Sequence, residues 1–379
     1  MSSSTPTPPH LSHGPLHTVH VLGAAAGAHV SSLAGGLVAR GVEVTVCGPA
    51  LAGRDYAIPA TGARFLAVDI GRRGAADAPA IAALRAAFTG AAVVHAHGLR
   101  AGLLAAMALG GRRTPLVVTW HGAEPPADGR KGMMLRWLER RSVRGATVVL
   151  GVSSDLVDRA RGHGARDARL APVSVPRPSA PPRPPADTDR LIHKIRADVG
   201  AVDRPLVLSV GRLERDAGHE VLLDAAGRWA GLDHRPLVVI AGEGGERAEL
   251  ERRIATEHLP VLLLGRRDDV PELLAAADLA VLPSRWEARS LLAQEALFAG
   301  VPLVATAVGG TPELVGDAAV LVPYGDPVAL SRAVTGLLAD PARRTALAAA
   351  GRAQAATWPT EDDTVAQVLS VYDELMQRG

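Results

Sequence analysis

The chain of 379 residues carries a single cysteine, Cys47. That excludes an intramolecular disulfide and any cysteine-based zinc cluster, and it fits a reducing compartment. Net charge is also scarce. A formal +2 gives no broad footprint for nucleic acid, although the sequence pI near 9.0 leaves room for a local basic patch. No nucleic-acid partner is expected. Lysine occurs only at Lys131 and Lys194 among many arginines, a bias that reads as genome composition. No apolar stretch reaches membrane-spanning length without interruption by charge, Pro or Gly. The opening "MSSSTPTPPHLSHGP" lacks the basic start and apolar run of a signal peptide. Residues 1–16 are therefore expected to form a disordered tail, and the protein to be cytoplasmic. A dinucleotide fingerprint is missing too: "GAAAG" lacks the middle glycine, and the second strand ends in "VCGP" without a ribose-binding acid. A nicotinamide dehydrogenase is disfavoured.

What is present is a repeated alternation. With 47% hydrophobic and 21% charged residues, the chain is long enough for two cores. From His17, "HTVHVLG", "AHVSSLAGGLVARG" and "VEVTVCGP" read as strand, helix, strand. "RFLAVDI", "AVVHAH", "PLVVTWH" and "ATVVLGVS" continue the pattern, and their two-sided apolar character predicts a parallel sheet covered on both faces. Prolines cluster in "APVSVPRPSAPPRPPADTDR", which predicts a linker over 176–204 free of long helix. "RPLVLSVGRL", "RPLVVIAGEG", "PVLLLG", "DLAVLPS", "GVPLVATAVGG" and "AAVLVP" then restart the alternation. The expected architecture is α/β, two doubly wound parallel-sheet domains (17–175 and 205–356) facing across a cleft. The amphipathic segment 357–379 is expected to cross back to the first domain.

In such sheets ligands bind beyond the carboxyl ends of the strands, where helix N-termini also point. Gly23, His97 and His121 follow strand ends in the first half, where the two histidines read either as cleft residues or as ordinary loop histidines. In the second half Arg212 lies just past a strand and reads either as a forked diphosphate ligand or as a surface arginine. "SRWEARSLLAQEALFAG" places Glu287 in a loop, Ser290 at a helix N-cap and Glu295 inside the helix. If all intervening residues were helical, eight rises would separate the two acids by roughly 12 Å, beyond the roughly 5–9.5 Å of glycosidase pairs. Two separate binding roles fit better. "RKGMMLRWLERRSVRG" (130–144 with its flank) mixes arginines with Met133, Met134 and Trp137, and reads either as a membrane-surface contact or as a helix packed on the sheet.

"VSVGRLERDAG", "IAGEGGERAELE" and the run from "LLLGRRDDV" to "GGTPELV" resemble the donor domain of family-4 retaining glycosyltransferases of the GT-B fold. "GAHVSSLAGGLVARGVEVTVCGP", "VVHAHG", "VVTWHG" and "LGVSSDL" resemble the same family's first domain, so the likeness runs from His17 nearly to the end. The resemblance implies a UDP- or GDP-sugar donor, an unidentified acceptor, retention of configuration, and neither cofactor nor metal. By that likeness Glu287 contacts the donor sugar, Glu295 the ribose hydroxyls, Arg212 the diphosphate, and the amides of Leu291 and Leu292, behind Ser290, the phosphate. Arg266 lies where backbone passes the base, His121 near the reacting sugar, and Gly23 in the loop between donor phosphate and acceptor. His29 and His97 are expected on the acceptor side. Breaking the anomeric bond leaves charge on the β-phosphate, which Arg212 and the helix start would meet.

The sequence departs from the family at more than one position. G-R-L-x-x-x-K-G becomes "GRLERDAG", with Ala217 in the lysine's place. A lost charge-assisted hydrogen bond is worth about 1.5–3 kcal/mol, or roughly ten- to hundredfold in rate. Arg215, His219 and Arg289 are the candidates to compensate. The glutamate after the glycine-rich loop is also missing, and "APVSVP" replaces a proline-asparagine-glycine turn. The alternative is therefore a degenerate transferase that binds a sugar nucleotide or a partner with little or no turnover.

Overall fold

A computed structural model describes residues 15–23, 26–70, 77–122, 129–174 and 185–378. The expected tail lies outside them except for Pro15 and Leu16. In the first half, strands β1 (His17–Leu22), β2 (Glu43–Gly48), β3 (Arg64–Ala67), β4 (Val93–His97), β5 (Leu116–Trp120), β6 (Val148–Gly151) and β7 (Ala168–Leu170) alternate with helices. These are α1 (Gly27–Val38), α2 (Ala50–Asp55), α3 (Asp77–Ala87), α4 (Leu99–Leu109), α5 (Gly129–Gly145) and α6 (Ser154–Gly162). In the second half come α7 (Pro185–Val199), β8 (Leu206–Val210), α8 (His219–Gly227), β9 (Leu237–Ala241), α9 (Arg247–Glu257) and β10 (Val261–Gly265). They are followed by α10 (Val270–Ala276), β11 (Leu279–Leu282), α11 (Leu291–Ala299), β12 (Leu303–Thr306), α12 (Thr311–Val315) and β13 (Val320–Val322). Helices α13 (Pro327–Ala339), α14 (Pro341–Ala356) and α15 (Glu361–Gln377) close the chain.

Among the described residues the strands form two sheets, ordered β3-β2-β1-β4-β5-β6-β7 and β10-β9-β8-β11-β12-β13, with every pairing parallel. Each is covered on both faces, which is why its strands read as continuous apolar runs. On the first sheet, Leu33 of α1 and Val368 of α15 pack over Leu22, Val93 and Val117. Leu84, Leu104, Val143 and Leu156, from α3 to α6, cover the opposite face. The second sheet is sandwiched between Leu273 and Leu292 on one side and Leu222 and Leu330 on the other. Strand order reverses at β1 and at β8, so each sheet opens a crevice at the carboxyl end of its first strand.

The stretch expected to be a linker needs correction. Residues 185–199 are helical, because a proline at the first helical position forfeits no hydrogen bond and presets φ. Leu191, Ile192, Ile195 and Val199 then supply an apolar stripe that packs on the second core. Residues 175–184 lie outside the described residues. Helix α15 packs against α1 of the first lobe, capped by Thr360, whose hydroxyl accepts from the Asp363 amide while the Asp363 carboxylate accepts from the Thr360 amide. Its buried Val365, Val368, Val371 and Leu375 are each worth about 1.5–3 kcal/mol of burial, which anchors the end of the chain to the lobe where it began.

Candidate active site

The crevice of the second sheet is built by loops that leave little room for side chains. Gly218 has φ +71°, and a Cβ there would lie 2.0 Å from the Pro283 carbonyl oxygen. Gly309, at φ +51°, would meet the Glu287 carbonyl oxygen at 2.1 Å. These close approaches lock the loop from Pro283 to Ser290 between its neighbours. Thr306 Oγ1 donates to the Ser284 carbonyl at 2.6 Å, and Gly310 N donates to that of Glu287 at 2.8 Å. The loop that carries Glu287 is thereby held, and Ser284 Oγ donates to Glu287 Oε1 at 2.9 Å. Burial raises the Glu287 pKa above the ordinary carboxylate range, while the Ser284 hydrogen bond and the nearby Arg212 charge pull it back.

Ser290 caps α11: its Oγ accepts from the Ala293 amide at 3.4 Å and its carbonyl from the Gln294 amide at 3.2 Å. The amides of Leu291 and Leu292 precede any intrahelical acceptor and point out of the helix start, where the dipole favours an anion. Leu291 is exposed and Leu292 buried. Glu295 lies one turn further in, half-buried, and burial raises its pKa. Arg212 is exposed two residues past β8. Arg266 follows β10, and its exposed guanidinium lies 3.7 Å from Asp268.

None of the three candidates supplies an uncommitted cation in place of the absent lysine. Arg215 is exposed and reaches Glu246 at 3.6 Å. His219 is buried, with its pKa lowered to about 4 by desolvation. Arg289 turns its guanidinium onto the Trp358 ring, 5.8 Å from the centroid, and leaves Nε and Nη2 buried without a hydrogen-bond partner.

The first sheet brings Gly23 and three histidines to its own crevice. A Cβ on Gly23 would sit 3.4 Å from the His97 carbonyl oxygen. His97 ends β4, His121 follows β5, and His29 is in the first turn of α1. His97 is 2% exposed, buried more deeply than a cleft histidine would be. Its Nδ1 lies 3.2 Å from His121 Nε2 and its Nε2 3.2 Å from His20 Nδ1, so only His29 and His121 stand toward the cleft, both half-buried. Desolvation, joined by mutual repulsion, holds His97 and His121 well below the usual imidazole range, and desolvation takes His29 to about 4.

Behind them lies a network that composition alone did not reveal. His20 and His95 pair across β1 and β4, and His95 and His97 share a face at the strand period of two. His95 Nδ1 meets the Tyr372 hydroxyl at 2.6 Å and its Nε2 meets Thr119 Oγ1 at 2.6 Å. Tyr372 Oη lies 3.4 Å from His20 Nε2. The "H-x-H" spacing carried a signal for His95, but Tyr372 comes from α15 and had none. Trp286, beside Glu287, was also missed. Its indole N–H donates to Asp155 Oδ2 at 3.1 Å, across from α6 of the first lobe, while Ser154 N donates to Glu313 Oε2 at 2.8 Å.

Two family models match the chain: "Glycosyl transferase 4-like domain" over residues 24–176 and "Glycosyl transferases group 1" over residues 192–354. D-inositol 3-phosphate glycosyltransferase of Xylanimonas cellulosilytica is 30% identical over 326 residues, 76% of this chain and 72% of that protein. Alpha-D-kanosaminyltransferase of Streptomyces kanamyceticus is 33% identical over 222 residues, 56% of each, so the match spans just over half of that relative. Among solved structures, sucrose-phosphate synthase from Thermosynechococcus elongatus superposes with a TM-score of 0.79 at 20% identity, over 96% of this chain and 100% of that one. Anabaena HepE in complex with UDP gives 0.76 at 20% identity, over 95% and 100%. Two facing Rossmann-like lobes, each matched by its own family model, place the chain in the group 1 glycosyltransferases of the GT-B fold.

Proposed function

We propose that this protein is a retaining, family-4 type glycosyltransferase that moves a sugar from UDP- or GDP-sugar to an unidentified acceptor without a metal. One observation carries the reading: Arg212, Glu287 and the amide-bearing start of α11 meet at the carboxyl ends of β8 and β11, with Glu287 close enough to Arg212 to feel its charge. Arg212 and the amides of Leu291 and Leu292 hold the diphosphate and meet the charge left on its β-phosphate. Glu287 takes sugar hydroxyls, Glu295 the ribose, and Arg266 marks the base end. The departing phosphate accepts the acceptor's proton, so no dedicated base is required. His121 borders the reacting sugar, Gly23 lets the acceptor approach, and His97 holds His121 in place with His29 beside it.

The test is a panel of UDP- and GDP-sugars with release of free sugar as readout. One donor should be hydrolysed slowly, and Glu287→Ala should cut that release at least about a hundredfold, the loss of one preorganised transition-state contact. Thermal stabilisation by a nucleotide diphosphate with no release from any donor would instead favour the degenerate reading that Ala217 motivates.

A second surface supports a membrane contact. On α5, Met133 is 59%, Met134 55% and Trp137 60% exposed. Among the described residues, Arg130, Arg136, Arg140, Arg141 and Arg144 form no salt bridge, whereas Glu139 of the same helix is buried against Arg159 and His163. A groove of 430 Å³ lined by Leu103, Met107, Trp137 and Arg140 runs beside them. Exposed aromatic and thioether side chains amid uncompensated arginines suit an anionic lipid surface. No described helix is long and apolar enough to cross a bilayer. Phosphatidylglycerol vesicles should pellet the protein at low salt and release it at high salt. An Arg140→Glu/Arg141→Glu variant that still pellets would remove this surface from consideration.

A further inference from the structure

We propose that His29, His97 and His121 form a binding site for a borderline divalent transition-metal cation such as Zn²⁺ on the acceptor side of the cleft, where a bound cation would occupy His121 rather than assist transfer. Three elements contribute, with one ligand atom from each histidine, and the three ligand nitrogens lie within 4.8 Å of one another. A tetrahedral cation with N ligands at 2.0–2.1 Å needs neighbouring nitrogens about 3.4 Å apart. His97 Nδ1 and His121 Nε2 are already 3.2 Å apart, so His29, in the first turn of α1, is the side chain that must close in. Imidazole nitrogen is a donor that suits Zn²⁺, Cu²⁺ or Ni²⁺ and ill suits Mg²⁺ or Ca²⁺.

The network behind the triad meets the requirement that a ligating nitrogen carry no proton. Coordination through His97 Nδ1 places its hydrogen on Nε2, which then donates to His20 Nδ1 at 3.2 Å. His20 Nε2–H donates to the Tyr372 hydroxyl at 3.4 Å, that hydroxyl to His95 Nδ1 at 2.6 Å, and His95 Nε2–H to Thr119 Oγ1 at 2.6 Å. Along this chain the ring N–H groups of His97, His20 and His95 and the Tyr372 hydroxyl each meet an acceptor, and the cation replaces the His97–His121 contact. Orientation of ligating histidines by such outer partners is a general property of metal sites.

The inner triad His20, His95 and His97 also brings three nitrogens together, but those rings are 0%, 0% and 2% exposed and offer no entry. The outer triad has His29 and His121 half-buried at the cleft, followed by exposed Gly122. Among the described residues a fourth coordination position therefore stands toward the cleft, for water or a small oxygen ligand.

The experiment is titration of metal-free protein with Co²⁺, followed by visible absorption, and with Zn²⁺ in a calorimeter. Both readouts are independent of transferase activity, so they judge this site whatever becomes of the proposed function. One equivalent of Co²⁺ should give the d–d bands of a four-coordinate site with three nitrogen ligands and one oxygen, and one equivalent of Zn²⁺ should abolish them. His29→Ala should weaken Zn²⁺ binding more than about a hundredfold, beyond the roughly 10–100-fold that loss of an outer partner can cost. Exposed His193→Ala should leave binding as it was. Circular dichroism verifies the fold, and His29→Gln serves if the alanine variant does not fold. Absence of the cobalt bands, or equal Zn²⁺ affinity in the wild type and the His29 variant, overturns the proposal.

Discussion

Three imidazoles share one buried face of β1 and β4, covered by α1 and by α15 with its Tyr372 phenol, and the consequence is a stability that depends on pH. His20, His95 and His97 are 0%, 0% and 2% exposed. Burial takes His20 to about 3 and the other two well below the imidazole range. The unfolded chain holds them near 6.5 and gains protons below that value, whereas the folded chain gains none until far lower. Their contribution is therefore fully present above pH 6.5 and is lost as pH falls toward the folded values. Each such group costs about 1.4 kcal/mol per pH unit, so three together cost about 4 kcal/mol between pH 7.5 and 5.5. The raised pKa values of Glu287 and Glu295, caused by burial, act in the opposite direction. Urea unfolding at the two pH values measures the difference, and a change under about 1 kcal/mol would show that these rings are solvated.

At the scale of elements, legibility followed locality. Strands β1, β4, β5, β8 and β11 stood out as apolar runs because both faces of each sheet are covered. The cap of α11 was readable at Ser290 because a serine followed by an unbroken helix-forming run names its own N-terminus. Helix α7 was misread because the prolines before residue 185 set the tone of the whole window, although Leu191, Ile192, Ile195 and Val199 already had helical spacing. Strand β7, with three residues, is too short to show a period. At the site, Arg212 and Glu287 were readable from their place after strands. The directions of Arg289 and His219 were not, since both depend on partners distant in sequence, Trp358 for the one and burial against the β8 end for the other.

The whole molecule works through a joint between lobes. Trp286 and Ala288, which flank Glu287, belong by packing to the first lobe's core even though their loop springs from β11 of the second. Trp286 is tied to Asp155, which also accepts from Ser153 Oγ at 2.5 Å, and Glu313 takes the Ser154 amide. These contacts join the two lobes beside the loop that carries Glu287. Removing the indole N–H while keeping an aromatic ring should therefore act on catalysis more than on folding. Trp286→Phe deletes one hydrogen bond, for a stability change of about 1 kcal/mol. A small displacement of Glu287 should meanwhile lower kcat/KM for sugar release about tenfold, with kcat and KM both altered, as for residues that govern closure. Steady-state kinetics beside a thermal melt separates the two effects. If the melt falls and the kinetic constants hold, the joint is structural only, and Glu287 takes its position from the second lobe alone.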